Sequence, residues 1–244
     1  MDYMDELISD LGYMPDSAWA WHNFKRSVEA LIVRYHCRDV LEVGGGRSPL
    51  FTAEDVARLG IRYSLNDIDP EELSRGPAYV ATTCFDIAGE NVPFHKRFDL
   101  VFSRMVFEHL TDTRIAYRNI LELLRDGGVA IAFYPTLYSP PFVINKLLPE
   151  RAATAVIRFF FPFRNNDQVP KIPAYYSWCF GDRKRMPGML KGLGYRDVLI
   201  LPFYGHTYFQ GLPVVRTLDR WLSDAALRHD CRLLSSYAYS IVRK

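Results

Sequence analysis

The sequence has few cysteines, little net charge and no arrangement of ligands typical of a structural metal. Its 244 residues include four cysteines, which are scattered and form neither a C-x-x-C pair nor a zinc-type spacing with histidine. We therefore expect no metal site. Lysine and arginine total 30 against 28 acidic residues, which gives a formal net charge of +2. Because nucleic-acid binding relies on basic surface, this balance argues against a nucleic-acid partner.

Long apolar runs are also missing. No stretch approaches the roughly 18 apolar residues that a membrane-spanning helix needs. The first ten residues, MDYMDELISD, are acidic and lack the basic start and apolar run of a signal peptide. Together with the scattered thiols, this predicts a soluble, cytoplasmic protein. Its length suits one domain with a modest insertion, so we treat residues 1–244 as a single domain.

Apolar spacing predicts alternating helices and strands. A helix is expected from Asp16 onward, with an apolar stripe at spacings of three and four formed by Trp21, Phe24, Val28, Leu31, Ile32 and Tyr35. Strands are predicted at 39–43, 61–65, 79–85, 98–103, 129–134, 198–203 and 233–242. This alternation favours a parallel sheet with right-handed crossovers. The last strand alternates apolar and polar residues, which predicts an antiparallel edge strand.

Helix boundaries are predicted from glycine and proline. Pro49 suits the first turn of a helix running towards Leu59. A second helix over 112–125 is expected to end at Gly127 and Gly128. Residues 135–180 depart from this alternation of helices and strands and are rich in proline and aromatic residues. They include a candidate helix over 150–161. This insertion follows the carboxyl end of the fifth strand, where open α/β sheets bind ligands, so it is placed to cover a substrate.

The strongest chemical signal is the glycine turn Gly44, Gly45 and Gly46, directly after the first predicted strand. Such a turn lets backbone N–H groups approach a ligand closely. A dinucleotide fingerprint starting at Gly44 needs glycine at position 49, where Pro49 stands, so NAD is disfavoured. A phosphate-binding GxxxxGK[ST] loop is absent as well.

The segment LEVGGGRSP, from Leu41 to Pro49, resembles the first motif of class I S-adenosylmethionine-dependent methyltransferases, particularly the type 11 and type 23 enzymes that act on small molecules or in glycan biosynthesis. Ser48 replaces a glycine often seen there. The segments YSLNDIDPEEL, CFDIAGENVPF and FDLVFSRMVFEHL match later motifs in the expected order, so the resemblance covers residues 38–134. It implies a Rossmann-like, doubly wound α/β fold with a mostly parallel seven-stranded sheet, an antiparallel C-terminal strand and an insertion after the fifth strand.

The resemblance also implies a division of the chain and a cofactor site. Residues 1–37 would form an N-terminal helical segment, 38–134 the cofactor-binding core, 135–180 the insertion and 181–244 the rest of the sheet. Asp67, or alternatively Asp69, would bind the ribose, while Asp69 can instead cap a helix. The implied S-adenosylmethionine-binding residues are Glu42, Gly44, Gly45, Gly46, Asp67, Asp86, Ile87, Ser103 and Arg104.

The acceptor side is less defined by sequence. His109 is a candidate general base for a hydroxyl acceptor, although it can equally be structural. Similar quinone-pathway enzymes bind a divalent ion through Glu-x-x-Glu-His, but Met105 occupies the first position here, so no metal is expected. Tyr175, Tyr176 and His206 are candidate substrate contacts. The run from Arg158 to Arg164 can pack on the sheet or touch a membrane peripherally.

These observations predict a methyltransferase acting on oxygen, or less readily nitrogen, of a saccharide, a lipid-linked glycan or another small metabolite. Three alternatives remain open: an NAD(P)-dependent oxidoreductase, a nucleic-acid methyltransferase, and a cofactor-binding subunit without activity. The oligomeric state has no sequence signal.

Overall fold

A computed structural model describes residues 3–147, 173–209, 211 and 213–244. Seven strands form one sheet in the order β3-β2-β1-β4-β5-β7-β6. The strands are β1 Asp39–Val43, β2 Arg62–Asp67, β3 Ala81–Cys84, β4 Phe98–Arg104, β5 Leu124–Pro135, β6 Asp197–Phe203 and β7 Tyr237–Arg243. The helices are α1 Tyr3–Leu11, α2 Ser17–Arg34, α3 Ala53–Leu59, α4 Pro70–Ser74, α5 Thr113–Leu123, α6 Pro140–Leu147, α7 Arg185–Gly192 and α8 Pro213–Arg228. Short 3-10 turns cover Phe107–His109 and Arg232–Leu234.

The first five strands are mutually parallel, which confirms the predicted fold class. Strand β1 lies between β2 and β4, with Val43 opposite Asn66 on one side and Ser103 on the other. The chain reverses its direction of winding at β1 and β4, and open sheets of this kind bind ligands at the carboxyl ends of such strands. The sheet therefore places its binding crevice where the glycine turn begins.

The last strand, β7, is antiparallel as predicted, but its predicted edge position is wrong. It pairs with β5 on one side and β6 on the other, so β6 forms the edge. Six of its seven residues are buried. A polar side chain of β7 forms an internal hydrogen bond instead of facing water: the hydroxyl of Ser240 is hydrogen-bonded to that of Tyr117, with the two oxygens 2.7 Å apart. The alternation of apolar and polar residues therefore predicted the wrong position of this strand in the sheet.

Two predicted helix boundaries are also wrong. Helix α3 begins at Ala53, not near Pro49, because Thr52 and Asp55 form a reciprocal capping box there. The preceding residues, including Pro49, belong to a loop. Helix α5 ends at Leu123, and β5 begins at once, so Gly127 lies inside the strand with a positive φ of 80°. The pairing between β4 and β5 shifts register in this region, and a left-handed glycine suits such an irregularity.

Helix α2 packs on the sheet through its predicted stripe and carries aromatic residues towards the carboxyl ends of the strands. Asp16 caps it by accepting a hydrogen bond from the Trp19 N–H. The Phe24 ring lies 5.6 Å from that of Phe133 and 5.3 Å from that of Tyr239. One turn earlier, Trp21 is 42% exposed and contacts Phe133 near the end of β5. Trp21 therefore stands at the rim of the crevice.

The insertion is described at its two ends. Helix α6 follows β5, and residues 173–180 return the chain to the sheet. The predicted helix over 150–161 and the run from Arg158 to Arg164 lie outside the described residues. Within the described ranges, no helix has both the length and the apolar character needed to cross a bilayer.

Candidate active site

The glycine turn is closely enclosed by side chains of neighbouring elements. A Cβ added to Gly44 would lie 2.3 Å from Cγ2 of Val106, and one added to Gly45 would lie 2.2 Å from Cδ1 of Leu65. Gly44 also has a φ of +74°, a conformation that L side chains rarely adopt. Both positions therefore require glycine, which leaves bare backbone facing the crevice.

Glu42 supports this turn from beneath. It is 3% exposed, and its carboxylate accepts hydrogen bonds from the backbone N–H of Leu50 and from the Tyr63 hydroxyl. Burial raises the pKa of Glu42, while both hydrogen bonds oppose that rise. The side chain thus fixes the loop between β1 and α3, and its predicted cofactor role would be indirect.

The carboxyl end of β2 supplies the predicted ribose ligand. Oδ2 of Asp67 lies 3.3 Å from the position of a Cβ built on Gly46, so this carboxylate borders the glycine turn. Its Oδ1 accepts a hydrogen bond from the N–H of Asp69 at 3.0 Å. Asp69 itself caps α4 by accepting from the N–H of Glu71. The geometry therefore favours Asp67 over Asp69 as the residue facing the crevice.

The predicted adenine segment follows β3. Asp86 is exposed, and its Oδ1 accepts from the N–H of Ala88 at 2.8 Å. Ile87 is buried, and its carbonyl accepts from the side-chain amide of Asn119 at 2.9 Å. Asn119, from α5, also donates to the carbonyl of Gly89, so one buried amide holds this loop. The loop is fixed in place, and the contact with adenine stays a prediction.

The segment after β4 closes over the glycine turn. Ser103 is buried, and among the described residues its Oγ has no hydrogen-bond partner. Arg104 is exposed, and its charge acts to lower the pKa of Glu42. Met105 has a positive φ of 57°, a strained conformation for this residue. This bend directs Val106 onto Gly44.

Glu108 and His109 hold the returning end of the insertion. The carbonyl of Glu108 accepts hydrogen bonds from the N–H groups of Tyr175 and Tyr176. Nδ1 of His109 donates to the carbonyl of Pro173 at 2.8 Å. Nε2 of His109 lies 3.7 Å from Oε1 of Glu108. The predicted base is therefore held at one ring nitrogen, and its other nitrogen faces a carboxyl group.

The three predicted substrate residues occupy different environments. Tyr175 is 45% exposed, whereas Tyr176 is 4% exposed and adopts a positive φ of 53°. The side chain of His206 is buried, with its Nε2 3.1 Å from Oδ1 of Asp219 on α8. Burial lowers the pKa of His206, and the neighbouring Asp219 opposes that shift. The structure thus leaves only Tyr175 open to solvent, and all three assignments stay predictions.

Aromatic rings line the space beside Glu108, and most of them were not predicted as site residues. Phe142 of α6 lies within 6 Å, between ring centroids, of Tyr176, Tyr208 and Tyr237. Trp21 lies 5.8 Å from Tyr237. These residues come from distant parts of the chain, so no local pattern could reveal the cluster.

Asn119, which holds the loop after β3, could have been identified from the sequence, because it is a polar residue on the buried side of an amphipathic helix.

Burial raises the pKa of Glu108 to about 8, from an ordinary value of 4.5. Between these values the folded state binds more protons than the unfolded state, so folding is favoured at low pH and this advantage is lost as the pH rises. Glutamine does not titrate, so its variant does not lose this advantage. We predict that the free energy of unfolding of Glu108→Gln, relative to that of the parent chain, rises by on the order of a few kcal/mol from pH 5 to pH 9. Urea unfolding of both chains at the two pH values measures this, and a difference independent of pH would contradict it.

Comparison with known proteins agrees with this geometry. Residues 41–132 match the family model described as "Methyltransferase domain". Three curated relatives from Mycobacterium sp. strains KMS, JLS and MCS, each named an uncharacterized methyltransferase, are 36% identical over 107 residues. The match covers 43% of this chain, and the chain spans about two fifths of those relatives, 41% of their length.

Solved structures extend the likeness to the whole fold. A S-adenosylmethionine-dependent methyltransferase from Archaeoglobus fulgidus is 18% identical, with full coverage of both chains and a TM-score of 0.51. Phosphoethanolamine N-methyltransferase 2 from Haemonchus contortus is 14% identical, with a TM-score of 0.56, over all of this chain and 60% of that one. The DszA carbon methyltransferase is 15% identical, with a TM-score of 0.58, over 99% of this chain and 57% of that one.

The strand order and the likeness to solved structures show that the chain has the fold of the class I S-adenosylmethionine-dependent methyltransferases. The part of that fold that matches the family model for a methyltransferase domain is residues 41–132.

Proposed function

We propose that this chain is a S-adenosylmethionine-dependent methyltransferase that acts on oxygen, or less readily nitrogen, of a saccharide, a lipid-linked glycan or another small metabolite. The observation that carries the cofactor assignment is the glycine turn, where Gly44 and Gly45 have no room for a side chain and Asp67 borders Gly46. A nucleoside can approach bare backbone at this point while its ribose hydroxyls meet a carboxylate.

The residues present fit the cofactor. The backbone of Gly44 to Gly46 and the carboxylate of Asp67 would hold its central part, the 86–87 loop its adenine, and the backbone at Ser103 and Arg104 its methionine end. When bound, S-adenosylmethionine supplies a methyl carbon attached to a positively charged sulfur. The chain's own task is to orient the acceptor in line with that bond and to exclude water.

The aromatic rings beside the crevice support a ring-shaped acceptor. Trp21 and Tyr175 are both more than 40% exposed, at the rim where α2 and the returning insertion lie. Aromatic faces pack against the apolar faces of sugars, and tyrosine hydroxyls can bind their polar edges. This arrangement favours a saccharide over an acceptor without such a face.

The alternatives have less support. The chain lacks the dinucleotide-binding fingerprint of NAD(P)-dependent oxidoreductases, because Pro49 stands where that fingerprint has glycine. The match to the methyltransferase family model also argues against an oxidoreductase. A nucleic-acid methyltransferase would need a basic surface, for which the net charge of +2 gives no support. A subunit without activity would have no need for the exposed aromatic rings of Trp21 and Tyr175 at the rim of the crevice.

Methyl transfer tests the proposal directly. The chain would be incubated with S-adenosylmethionine labelled in its methyl group and three acceptor pools: sugar nucleotides and oligosaccharides, small amines such as phosphoethanolamine, and tRNA. We expect label in an alkali-stable methyl ether of the first pool, and none with Asp67→Ala. Label confined to tRNA would overturn the acceptor assignment, and label confined to the amines would overturn the preference for oxygen and for a saccharide. No transfer to any pool despite cofactor binding would favour the inactive subunit.

A further inference from the structure

The carboxyl group of Glu108 is buried, and the structure gives one of its oxygens no partner among the described residues. The residue is 4% exposed, and its Oε2 has no hydrogen-bond partner among the described residues. Its anchoring of the insertion uses only the backbone carbonyl, which accepts from Tyr175 and Tyr176. Any residue with the same backbone could do this. Because burying an unsatisfied carboxyl group is costly, its presence points to a role that the resting structure does not satisfy.

Among the residues that the structure describes, no lysine or arginine forms an ion pair with Glu108. Its one ion-pair neighbour there is the imidazole of His109, with Nε2 3.7 Å from Oε1. The hydroxyl of Tyr237, on β7, is close enough for the charge of Glu108 to raise the pKa of that tyrosine. Tyr208 and Trp21 lie beside Tyr237 in turn. The carboxyl group thus faces neutral rings and one imidazole.

The segment that carries Glu108 contacts the glycine turn through Val106. Val106, two residues earlier, packs directly on Gly44, and Glu108 continues the same segment in a 3-10 turn. The resemblance implies that the backbone at Ser103 and Arg104 holds the methionine end of the cofactor, so the charged end of the cofactor would be held by the same segment that carries Glu108.

We propose that Oε2 of Glu108 is the group that accepts the proton of a hydroxyl acceptor during methyl transfer, with His109 positioning it. This rests on the proposed function. As the acceptor oxygen bonds to the methyl carbon, the carbon–sulfur pair of electrons passes to sulfur, and the O–H proton passes to Oε2. A sulfonium and a carboxylate become a thioether and a carboxylic acid, so two opposite charges disappear. A site that excludes water favours this loss of charge.

The role of His109 follows from its contacts. Nδ1 of the ring donates to the carbonyl of Pro173, and Nε2 of the same ring lies 3.7 Å from Oε1 of Glu108. It therefore orients the carboxyl group and the end of the insertion together. We assign His109 as a positioning residue, which replaces its predicted role as the base.

The binding of cofactor analogues tests this proposal without a known acceptor, because the number of protons released on binding shows whether Glu108 becomes ionised. Sinefungin carries an amine where the sulfonium methyl lies, whereas S-adenosylhomocysteine is uncharged there. Calorimetry at pH 7 in two buffers of different ionisation enthalpy counts the protons released. Because a carboxyl group with a pKa of about 8 is mostly protonated at pH 7, we expect sinefungin to release close to one proton per site and S-adenosylhomocysteine about none.

Variants assign the proton. Glu108→Gln should abolish the release on sinefungin binding while leaving the affinity for S-adenosylhomocysteine within a few-fold. Glu122 is a partly exposed acid on α5, and Glu122→Gln should keep the full proton release. His109→Asn should keep most of the proton release. Equal release for both analogues, or release that survives in Glu108→Gln, would overturn the assignment. Failure of S-adenosylhomocysteine to bind the folded parent chain would instead overturn the proposed function itself, and this inference with it.

Discussion

Asp67→Ala should weaken S-adenosylhomocysteine binding by about 100-fold or more while leaving the fold intact. Its carboxylate stands at the end of β2 with Oδ2 against the glycine turn, and it is partly exposed. Two hydrogen bonds from ribose hydroxyls to a charged acceptor contribute about 1.5–3 kcal/mol each, which gives a loss of this size. Calorimetry measures the affinity, and thermal unfolding checks the fold.

Asp69→Ala is the matched control for Asp67→Ala, since the two acids are two positions apart. Asp69 caps α4, so its loss should cost about 1 kcal/mol of stability and leave affinity within a few-fold. If the two variants exchanged these effects, Asp69 would be the ribose ligand. If neither changed affinity, the cofactor would not lie at the carboxyl end of β2.

Gly44→Ala should have the second large effect, on both stability and binding. The new Cβ would lie 2.3 Å from Cγ2 of Val106, in a residue with a φ of +74°. Overpacking and the left-handed conformation together should cost about 2–4 kcal/mol. Because the loop must move to relieve the contact, S-adenosylhomocysteine binding should fall at least 10-fold. Urea unfolding and calorimetry on the same sample measure the two effects.

Gly60→Ala separates the two causes. Gly60 has a φ of +64°, but a Cβ there would have nothing within 4 Å. Its alanine variant should lose about 1 kcal/mol and bind normally. Adding Val106→Ala to Gly44→Ala should restore part of the lost binding, since it removes the atom in conflict. Equal behaviour of Gly44→Ala and Gly60→Ala would show that the close contact with Val106 does not matter.

The sequence predicted the framework of the fold because its strands carry strong local signals. Strand β1 was predicted with its observed bounds, since a short apolar run ends in three glycines. Helix α3 was misplaced because proline is compatible with a first helical turn but does not require one, whereas the capping box at Thr52 decided where the helix begins. The interior position of β7 depends on pairing with two strands distant in sequence, which alternation does not encode.

The candidate site was predictable only where one motif holds the whole contact. The glycine turn and Asp67 lie in such motifs, and the structure brings them together. The closure of Val106 over Gly44 depends on the left-handed bend at Met105, which sequence does not reveal. The burial of Glu108 and its aromatic neighbours come from tertiary packing, which no local pattern around His109 reveals. Sequence motifs therefore define the predicted cofactor side more closely than the predicted acceptor side.

Calorimetric titration of the folded parent chain with S-adenosylhomocysteine tests the central claim, that the turn from Gly44 to Gly46 and Asp67 bind a sulfonium nucleoside. We predict saturable binding at one site per chain with a micromolar dissociation constant, and none with NADH. A chain that unfolds cooperatively on heating yet gives no heat of binding and no thermal shift with S-adenosylhomocysteine would contradict it.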